Sequence, residues 1–500
     1  MRILLVTEGT YPTSHGGVSV WCDQLVRGIP EHEFVVQAIV ATGSEPVLWR
    51  QHSNMSRIEF APLWGPTVAR HVRRRDIARF RDSTTLLLDS TFLGGPDQLT
   101  AFLAALRGLR ELALECRLTP LMRSPALIRS LLARWRENPL PGRVLGSEDR
   151  VPPATVADAV RAASLLEHFL RPLGAAVPAA DLCHTVSNGL ASLIALSAKW
   201  ENGTPFLMTE HGIYLRERYL EYRENGATFA VRAFIMRFFR LLTAASYLEA
   251  DLITPGSDYN LRWQLRHGAP PDRVWRVYNG IDPSAFPAGD EPDNPTLSWL
   301  GRITPIKDVE SLIAAFRIVA DRIPRSRLRL FGSAPPGDEP YLARCRALVD
   351  RLGLSGRVTF EGRVQASVEA YHAGSVVVLS STSEGFPYTV IEAMATGRST
   401  VSTDVGGVRE AVGDTGLVVP TRDPVSLAEG CIRLLEDPQL RSGMAQAARQ
   451  RALGLFTLDR FLGIYRGLYP ALATRSAGPF LPPSPPGTSD AAQQRELLPA

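Results

Sequence analysis

Cysteine is scarce in this chain of 500 residues: there are five, Cys22, Cys116, Cys183, Cys345 and Cys431, and no two form a C-x-x-C pair. Scattered single thiols exclude a disulfide framework and a cysteine metal centre. They point to a reducing compartment and hence to a cytoplasmic protein. Long apolar runs are lacking as well. No uncharged stretch approaches the roughly 18 residues that a membrane span needs, and the most apolar helical candidate, around Phe229 to Leu248, carries Arg232, Arg237 and Arg240. The apolar opening Ile3–Val6 is too short for a signal peptide and runs into Glu8-Gly9. A net charge of only +4 argues against a dedicated nucleic-acid binder. The G-x-G-x-x-G fingerprint of a dinucleotide-binding dehydrogenase is missing too.

What is present is enough for more than one core. The length suggests two or three domains, and 45% hydrophobic with 21% charged residues is a globular composition. Strand and helix patterns alternate, which predicts an α/β protein with parallel sheets covered by helices on both faces. A strand at Arg2–Val6 leads through Gly16-Gly17 into an amphipathic stretch, Val18–Arg27, and then a strand at Phe34–Val40. The pattern restarts with Leu297–Gly301 and a helix from Val309 to Val319. Between them, Asp282–Pro295 holds four prolines and four acidic residues and reads as a linker. From about 64 to 180 the alternation lapses into helical, arginine-rich sequence, including Arg70-His71-Val72-Arg73-Arg74-Arg75. This region reads as an insertion whose basic run is either a solvated helix face or a contact for anionic lipid. The expected division is therefore 1–285, 286–455, a helix at 456–472 that could cross back to the first domain, and a disordered proline-rich tail, 473–500.

In a doubly wound sheet, ligands lie beyond the carboxyl ends of the strands, and charged loops follow several of these runs. The strand Val376–Leu379 breaks into a loop and then a helix, with Glu384 on the loop and Glu392 eight positions later, inside the helix. Such a unit offers backbone N–H groups and a positive helix end to a phosphate. A carboxylate within the helix can accept hydrogen bonds from paired ribose hydroxyls. After Leu297–Leu300, the loop Gly301–Asp308 carries Arg302 and Lys307, two cations suited to charge developing on a leaving diphosphate. Gly332 ends the strand Leu328–Leu330 and lets a loop pass close to a ligand, as Gly16 and Gly17 do in the first half. His211 follows the strand pattern Phe206–Met208, and His184 follows another; each is either a satisfied core histidine or a site group. Asn279-Gly280-Ile281-Asp282 ends the predicted strand Val274–Val277 and reads as structural. Asp404–Glu410 follows the strand Thr400–Ser402, and its two glycines are expected to close the cleft floor under a bound nucleotide.

Taken together, these motifs resemble the retaining glycosyltransferases of family four, which have the GT-B fold: two Rossmann-like doubly wound domains facing across a cleft. Glu384 and Glu392 match the family's E-x7-E signature, with Gly385, Phe386, Pro387 and Thr389 in the same donor-binding turn. Gly301-Arg302 to Lys307 matches its G-R-x-x-x-x-K pattern. Thr7-Glu8-Gly9-Thr10-Tyr11-Pro12, Gly16-Gly17-Val18-Ser19 and Thr209-Glu210-His211-Gly212-Ile213-Tyr214 with Arg216-Glu217-Arg218 are similar to the branch that makes the Pel exopolysaccharide. The resemblance implies that Gly16 and Gly17 face the donor diphosphate, His211 the transferred sugar, Arg302 and Lys307 the diphosphate, and Glu384 the donor sugar's hydroxyls. His15, directly before the glycine pair, has no role in that pattern.

The implied activity is retaining transfer of a hexose, with glucose from UDP-glucose as the expected donor, to a glycan acceptor in exopolysaccharide synthesis. Metal independence is expected, because no D-x-D pair occurs and Arg302, Lys307 and a helix end can supply the positive charge; no cofactor is expected either. Two other readings remain at this point: a pyridoxal-phosphate sugar phosphorylase on the same fold, and a catalytically silent nucleotide-sugar-binding subunit of a membrane polysaccharide synthase. The expected partners are the nucleotide sugar, the glycan acceptor and membrane subunits at the inner face of the membrane.

Overall fold

The structure, a computed structural model, describes residues 1–138, 153–224 and 226–474. The chain forms two units. Unit 1 comprises Met1–Pro255, Leu261–Trp275 and the chain from Arg466 onward; unit 2 comprises Gly256–Asn260 and Arg276–Tyr465.

Unit 1 holds six strands: β1 (Arg2–Glu8), β2 (Glu33–Val40), β3 (Met55–Pro62), β4 (Leu182–Thr185), β5 (Phe206–Met208) and β6 (Leu252–Ile253). They lie in the order β3-β2-β1-β4-β5-β6, every pairing parallel. Unit 2 repeats this winding with β7 (Thr296–Leu300), β8 (Arg327–Phe331), β9 (Val358–Gly362), β10 (Val376–Leu379), β11 (Ser399–Thr403) and β12 (Leu417–Val419), in the order β12-β11-β10-β7-β8-β9. Strands of a parallel sheet are covered on both faces and read as continuous apolar runs. Ile3–Val6 and Val376–Leu379 are such runs, and all their side chains are buried. The winding reverses between β1 and β4 in unit 1 and between β7 and β10 in unit 2. These are the switch points where an open α/β sheet leaves a crevice for ligands.

The helical region lies between β3 and β4 and comprises Arg74–Phe92, Gln98–Leu114, Leu118–Met122, Pro125–Glu137 and Val156–Leu170. It shares one core with the sheet. Phe92 stacks on Phe234 with ring centres 5.5 Å apart, and Phe102 meets Phe238 edge-on at 5.7 Å, so the long helix Phe229–Glu249 is gripped from the inserted side. That helix is apolar because it is buried core, which explains the run of sequence around it.

Three expectations change: the linker, the domain boundary and one strand. The proline-rich segment Asp282–Pro295 is no free linker but part of unit 2. Arg398 donates from its guanidinium to the carbonyl of Gly289 at 2.7 Å, Arg449 to that of Phe286 at 3.2 Å, and Arg441 pairs with Glu291 at 2.8 Å. Glu291 and these open carbonyls are thus ligands for arginines rather than signs of solvation, and the chain divides at Trp275 rather than at 285. The predicted strand Val274–Val277 contributes only one isolated bridge, from Val274 to Ile253; Arg276, next in line, is drawn to Asp258 at 2.6 Å and Glu410 at 3.2 Å. The last helix runs from Leu458 to Ala473, through Pro470. The proline removes one donor, but Leu472 beyond it is fully buried and Thr474 donates back to the Pro470 carbonyl at 3.0 Å. The expected disordered tail lies, from 475 on, outside the described residues.

Candidate active site

In unit 2 the loops after β7 and β10 are neighbours at the switch point, and hydrogen bonds stitch them together. Thr382 donates from its backbone to the Ile306 carbonyl at 2.8 Å, and the Ser380 hydroxyl donates to the Lys307 carbonyl at 2.8 Å. Lys307 closes a single 3₁₀ turn, Pro305–Lys307, that runs into Asp308 in the left-handed region, φ 47°. An aspartate tolerates this conformation because its side chain bonds locally: it accepts from the Ser311 N–H at 3.3 Å and starts the helix Val309–Arg322. The result aims the Lys307 ammonium at Glu384, Nζ to Oε1 at 2.6 Å, with both side chains only partly exposed. Arg302, on the same loop, is exposed.

Two glycines hold the backbone of this pair in place. Gly332 has φ +129°, and a Cβ there would stand 1.8 Å from the Gly301 carbonyl oxygen. Gly406, with φ +57°, would put a Cβ 1.9 Å from the carbonyl oxygen of Glu384, while Gly407 donates to the Gly385 carbonyl at 2.8 Å. The turn carrying Glu384 is therefore cradled by the loop after β11.

The turn leads through Gly385, Phe386 and Pro387 to the helix Tyr388–Ala395, whose first residue follows Pro387 with no side-chain cap. The uncapped N–H groups and the positive helix end make a seat for an anion. Thr389 lies in the first turn. Phe386 anchors the turn through its ring. Its ring is buried, stacked on Tyr278 at 5.1 Å and edge-on to Phe456 at 5.3 Å, and its carbonyl accepts from the Asn279 side-chain amide at 3.3 Å. The phenyl ring anchors the turn, and Asn279 has the structural part expected of it. Glu392, one turn into the helix and half-buried, accepts from the Tyr371 hydroxyl at 2.6 Å, and burial holds its carboxyl above the usual range.

In unit 1, Gly16 precedes the helix Gly17–Gly28, again with no side-chain cap and with open space where a Cβ would lie. His15 packs its ring on Trp49, centres 5.6 Å apart, and the Trp49 indole donates to the Ser14 carbonyl at 2.8 Å, so His15 helps fix this loop. The two histidines part ways. His184 is fully buried, with Nδ1 2.9 Å from the Tyr469 hydroxyl and Nε2 2.8 Å from the Thr209 hydroxyl; burial drives its pKa down to about 3. It is a neutral tie in the core. His211 meets the edge of Trp21, centres 4.8 Å apart, and lines a cavity of about 120 Å³. Burial lowers its pKa to about 4, so it is neutral near pH 7.

That cavity contains four groups that the sequence motifs include but to which no role was given: Glu8, Glu210, Glu217 and Arg218. Burial raises the pKa of both Glu8 and Glu210 to about 7. A signal was present, since Glu8 closes β1 and Glu210 follows β5 within two residues. Among the described residues no group of three or more His, Cys, Asp or Glu side chains could hold a metal ion, and no helix is long and apolar enough to cross a membrane.

Each unit has the Rossmann-like winding of one half of a GT-B protein, and solved structures match over almost the whole chain. HepE from Anabaena in complex with UDP aligns with a TM-score of 0.59 at 15% identity, over 92% of this chain and 97% of that one. Sucrose-phosphate synthase from Thermosynechococcus elongatus aligns with a TM-score of 0.59 at 19% identity, over 94% and 99%. At such identities the likeness carries the fold, which is GT-B. Residues 1–272 match the family model described as a domain of unknown function (DUF3492), and residues 294–437 match that of the group 1 glycosyl transferases. A D-inositol 3-phosphate glycosyltransferase of Frankia alni is 34% identical over 301 residues, 56% of this chain and 71% of that protein. The chain spans about half the length of other curated relatives of the same name. The chain belongs to the group 1 glycosyltransferases, with an N-terminal part of the DUF3492 family.

Proposed function

We propose that the protein transfers glucose from UDP-glucose to a glycan acceptor with retention of configuration, without a metal ion, in exopolysaccharide synthesis. The observation that carries this reading is the Lys307–Glu384 pair at the switch point of unit 2, beside an uncapped helix start. Lys307 and Arg302 would stabilise the charge that builds on the departing diphosphate, an interaction stronger in the transition state than before it. Glu384, held by Lys307, would accept hydroxyls of the donor sugar, Glu392 those of the ribose, and neutral His211 would hydrogen-bond the transferred sugar. With Glu384 committed to an ammonium, a front-side displacement is the simpler route: the leaving phosphate takes the acceptor's proton as the new bond forms on the same face. The solved HepE complexes with UDP and with UDP-glucose support the choice of donor.

A phosphorylase would need a lysine free to form a Schiff base. The chain contains only two lysines, Lys199 and Lys307. Lys199 donates to the Glu249 carbonyl at 2.6 Å and pairs with Asp251 at 3.3 Å, and Lys307 is bound to Glu384. Both ammonium groups are committed, which favours transfer.

Calorimetry with UDP-, GDP- and ADP-sugars, followed by product analysis, tests the reading. UDP-glucose should bind best and yield an α-linked product, with turnover largely intact in EDTA. Absence of turnover with every nucleotide sugar would leave the silent-subunit reading; loss of turnover in EDTA, restored by Mn²⁺, would overturn metal independence.

An exopolysaccharide role also implies work at the inner face of the membrane, beside membrane subunits, and the basic segment supports such a contact. Arg70, Arg73, Arg74 and Arg75 are exposed. The one carboxylate between 64 and 81, Asp76, is buried, accepting from the Arg73 N–H at 2.8 Å and lying 3.3 Å from Arg117. Each exposed cation adds about 1 kcal/mol near an anionic leaflet. In fractionated cells the parent should sediment with membranes and be released by salt, while a variant with Arg73, Arg74 and Arg75 changed to glutamine should stay in the supernatant. Equal partitioning of the two would rule out this segment as the contact.

A further inference from the structure

We infer that the cavity of unit 1 accepts a neutral, hydroxyl-rich group and rejects a phosphate ester. The inference rests on the transferase reading above, in which that group belongs to the acceptor, and it settles a property of the acceptor that the reading leaves open.

The cavity lies where the loops after β1, β4 and β5 meet, beyond the carboxyl ends of those strands, and three carboxyl groups, Glu8, Glu210 and Glu217, line it against one guanidinium. Glu210 is a wall: it accepts from the Tyr214 N–H at 3.1 Å, the Tyr247 hydroxyl at 2.5 Å and the Gln264 amide at 3.0 Å. Two glycines shape the rest. At Gly189, with φ +75°, a Cβ would lie 2.0 Å from Cζ of Tyr214, so the tyrosine ring can lie directly against the backbone and aim its hydroxyl at Glu8. At Gly212 a Cβ would lie 2.0 Å from the Glu217 carboxylate, so only a glycine lets that carboxylate fold over the cavity. The single cation, Arg218, pairs through one terminal nitrogen with Glu221 at 2.9 Å and stands over the Tyr214 ring at 5.1 Å, while its Nε is buried without a hydrogen-bond partner.

Glu8 is the group that asks for a ligand. Its Oε1 accepts from the Tyr214 hydroxyl at 3.2 Å, whereas Oε2 is buried with no hydrogen-bond partner. A buried acceptor without a donor is costly, and a sugar hydroxyl is a neutral donor that would satisfy it. A phosphate ester brings negative charge and acceptor oxygens instead; above about pH 8, where Glu8 and Glu210 are ionised, it would meet the carboxylates of Glu8, Glu210 and Glu217 against a single guanidinium. Repulsion between like charges in a partly desolvated cavity is weakly screened.

The test uses, at about pH 8.5, where Glu8 and Glu210 are ionised, the full chain saturated with UDP and matched probe pairs: glucose with glucose 6-phosphate, and myo-inositol with myo-inositol 3-phosphate, read by saturation-transfer NMR. At least one neutral probe should bind tenfold or more tightly than its phosphate ester. Glu8→Gln should weaken that neutral probe at least fivefold while UDP affinity and the melting temperature stay at the parent's values. Glu217→Lys, at the exposed rim, should narrow the preference several-fold without refolding the core. Phosphate esters binding as tightly as their neutral partners would overturn the inference. So would neutral probes that do not bind, or that bind equally to the Glu8→Gln protein. Failure of the parent to bind UDP would instead remove the transferase reading itself.

Discussion

Lys307→Ala and Arg302→Ala should each lower kcat while leaving the affinity for UDP less affected. On the proposed reading each would lose a charge-assisted contact to the leaving diphosphate, worth about 2–4 kcal/mol of transition-state stabilisation, which corresponds to a fall in turnover of roughly 30- to 1,000-fold. Lys307→Ala should be the worse of the two. Arg302 is exposed and its removal leaves the protein otherwise unchanged, whereas Lys307 is the partner of Glu384 at 2.6 Å. Without it, a largely desolvated carboxylate loses its counter-charge, and on the proposed reading the donor sugar would lose an oriented acceptor. Single-turnover kinetics separate binding from chemistry here; an unchanged kcat in both variants would take the two cations out of the site.

The second large effect falls on nucleoside binding. Glu392→Ala should weaken the affinity for UDP by about 1–3 kcal/mol, because the ribose hydroxyls would lose their acceptor. The variant should also melt at a lower temperature, since the Tyr371 hydroxyl, in a fully buried tyrosine, loses the partner it now holds at 2.6 Å. Glu392→Gln separates the two consequences. Its amide oxygen can still accept from Tyr371 and restore stability, while a neutral acceptor should bind the ribose less well than a carboxylate does. Equal calorimetric affinity for UDP in all three proteins would refute the ribose assignment.

The sheets, their parallel winding and the loops of unit 2 were legible because each rests on local signals. Apolar runs such as Ile3–Val6 and Val376–Leu379 announce strands covered on both faces, and charge placed directly after a strand announces the crevice. Less legible were features that depend on partners far along the chain. Asp282–Pro295 reads as a linker until Arg398, Arg441 and Arg449, more than a hundred residues later, are seen to bind its carbonyls and Glu291. His184 and His211 look alike in sequence, each just past an apolar run, and only Tyr469 and Thr209 make one of them a core tie. Phe386 sits in a ligand-binding motif, yet its ring belongs to a cluster with Tyr278 and Phe456. Glu8 needed three elements folded together before its second oxygen could be seen to lack a donor.

The ion pair between Lys307 and Glu384 also makes the protein its own reporter. With Lys199 as the only other lysine, reductive methylation with ¹³C-formaldehyde would label the two ammonium groups and the chain's amino terminus and nothing else. A single resolvable methyl signal would then sit at the candidate diphosphate seat, and its shift on adding nucleotide, sugar or acceptor would follow each step of occupancy without any engineered probe.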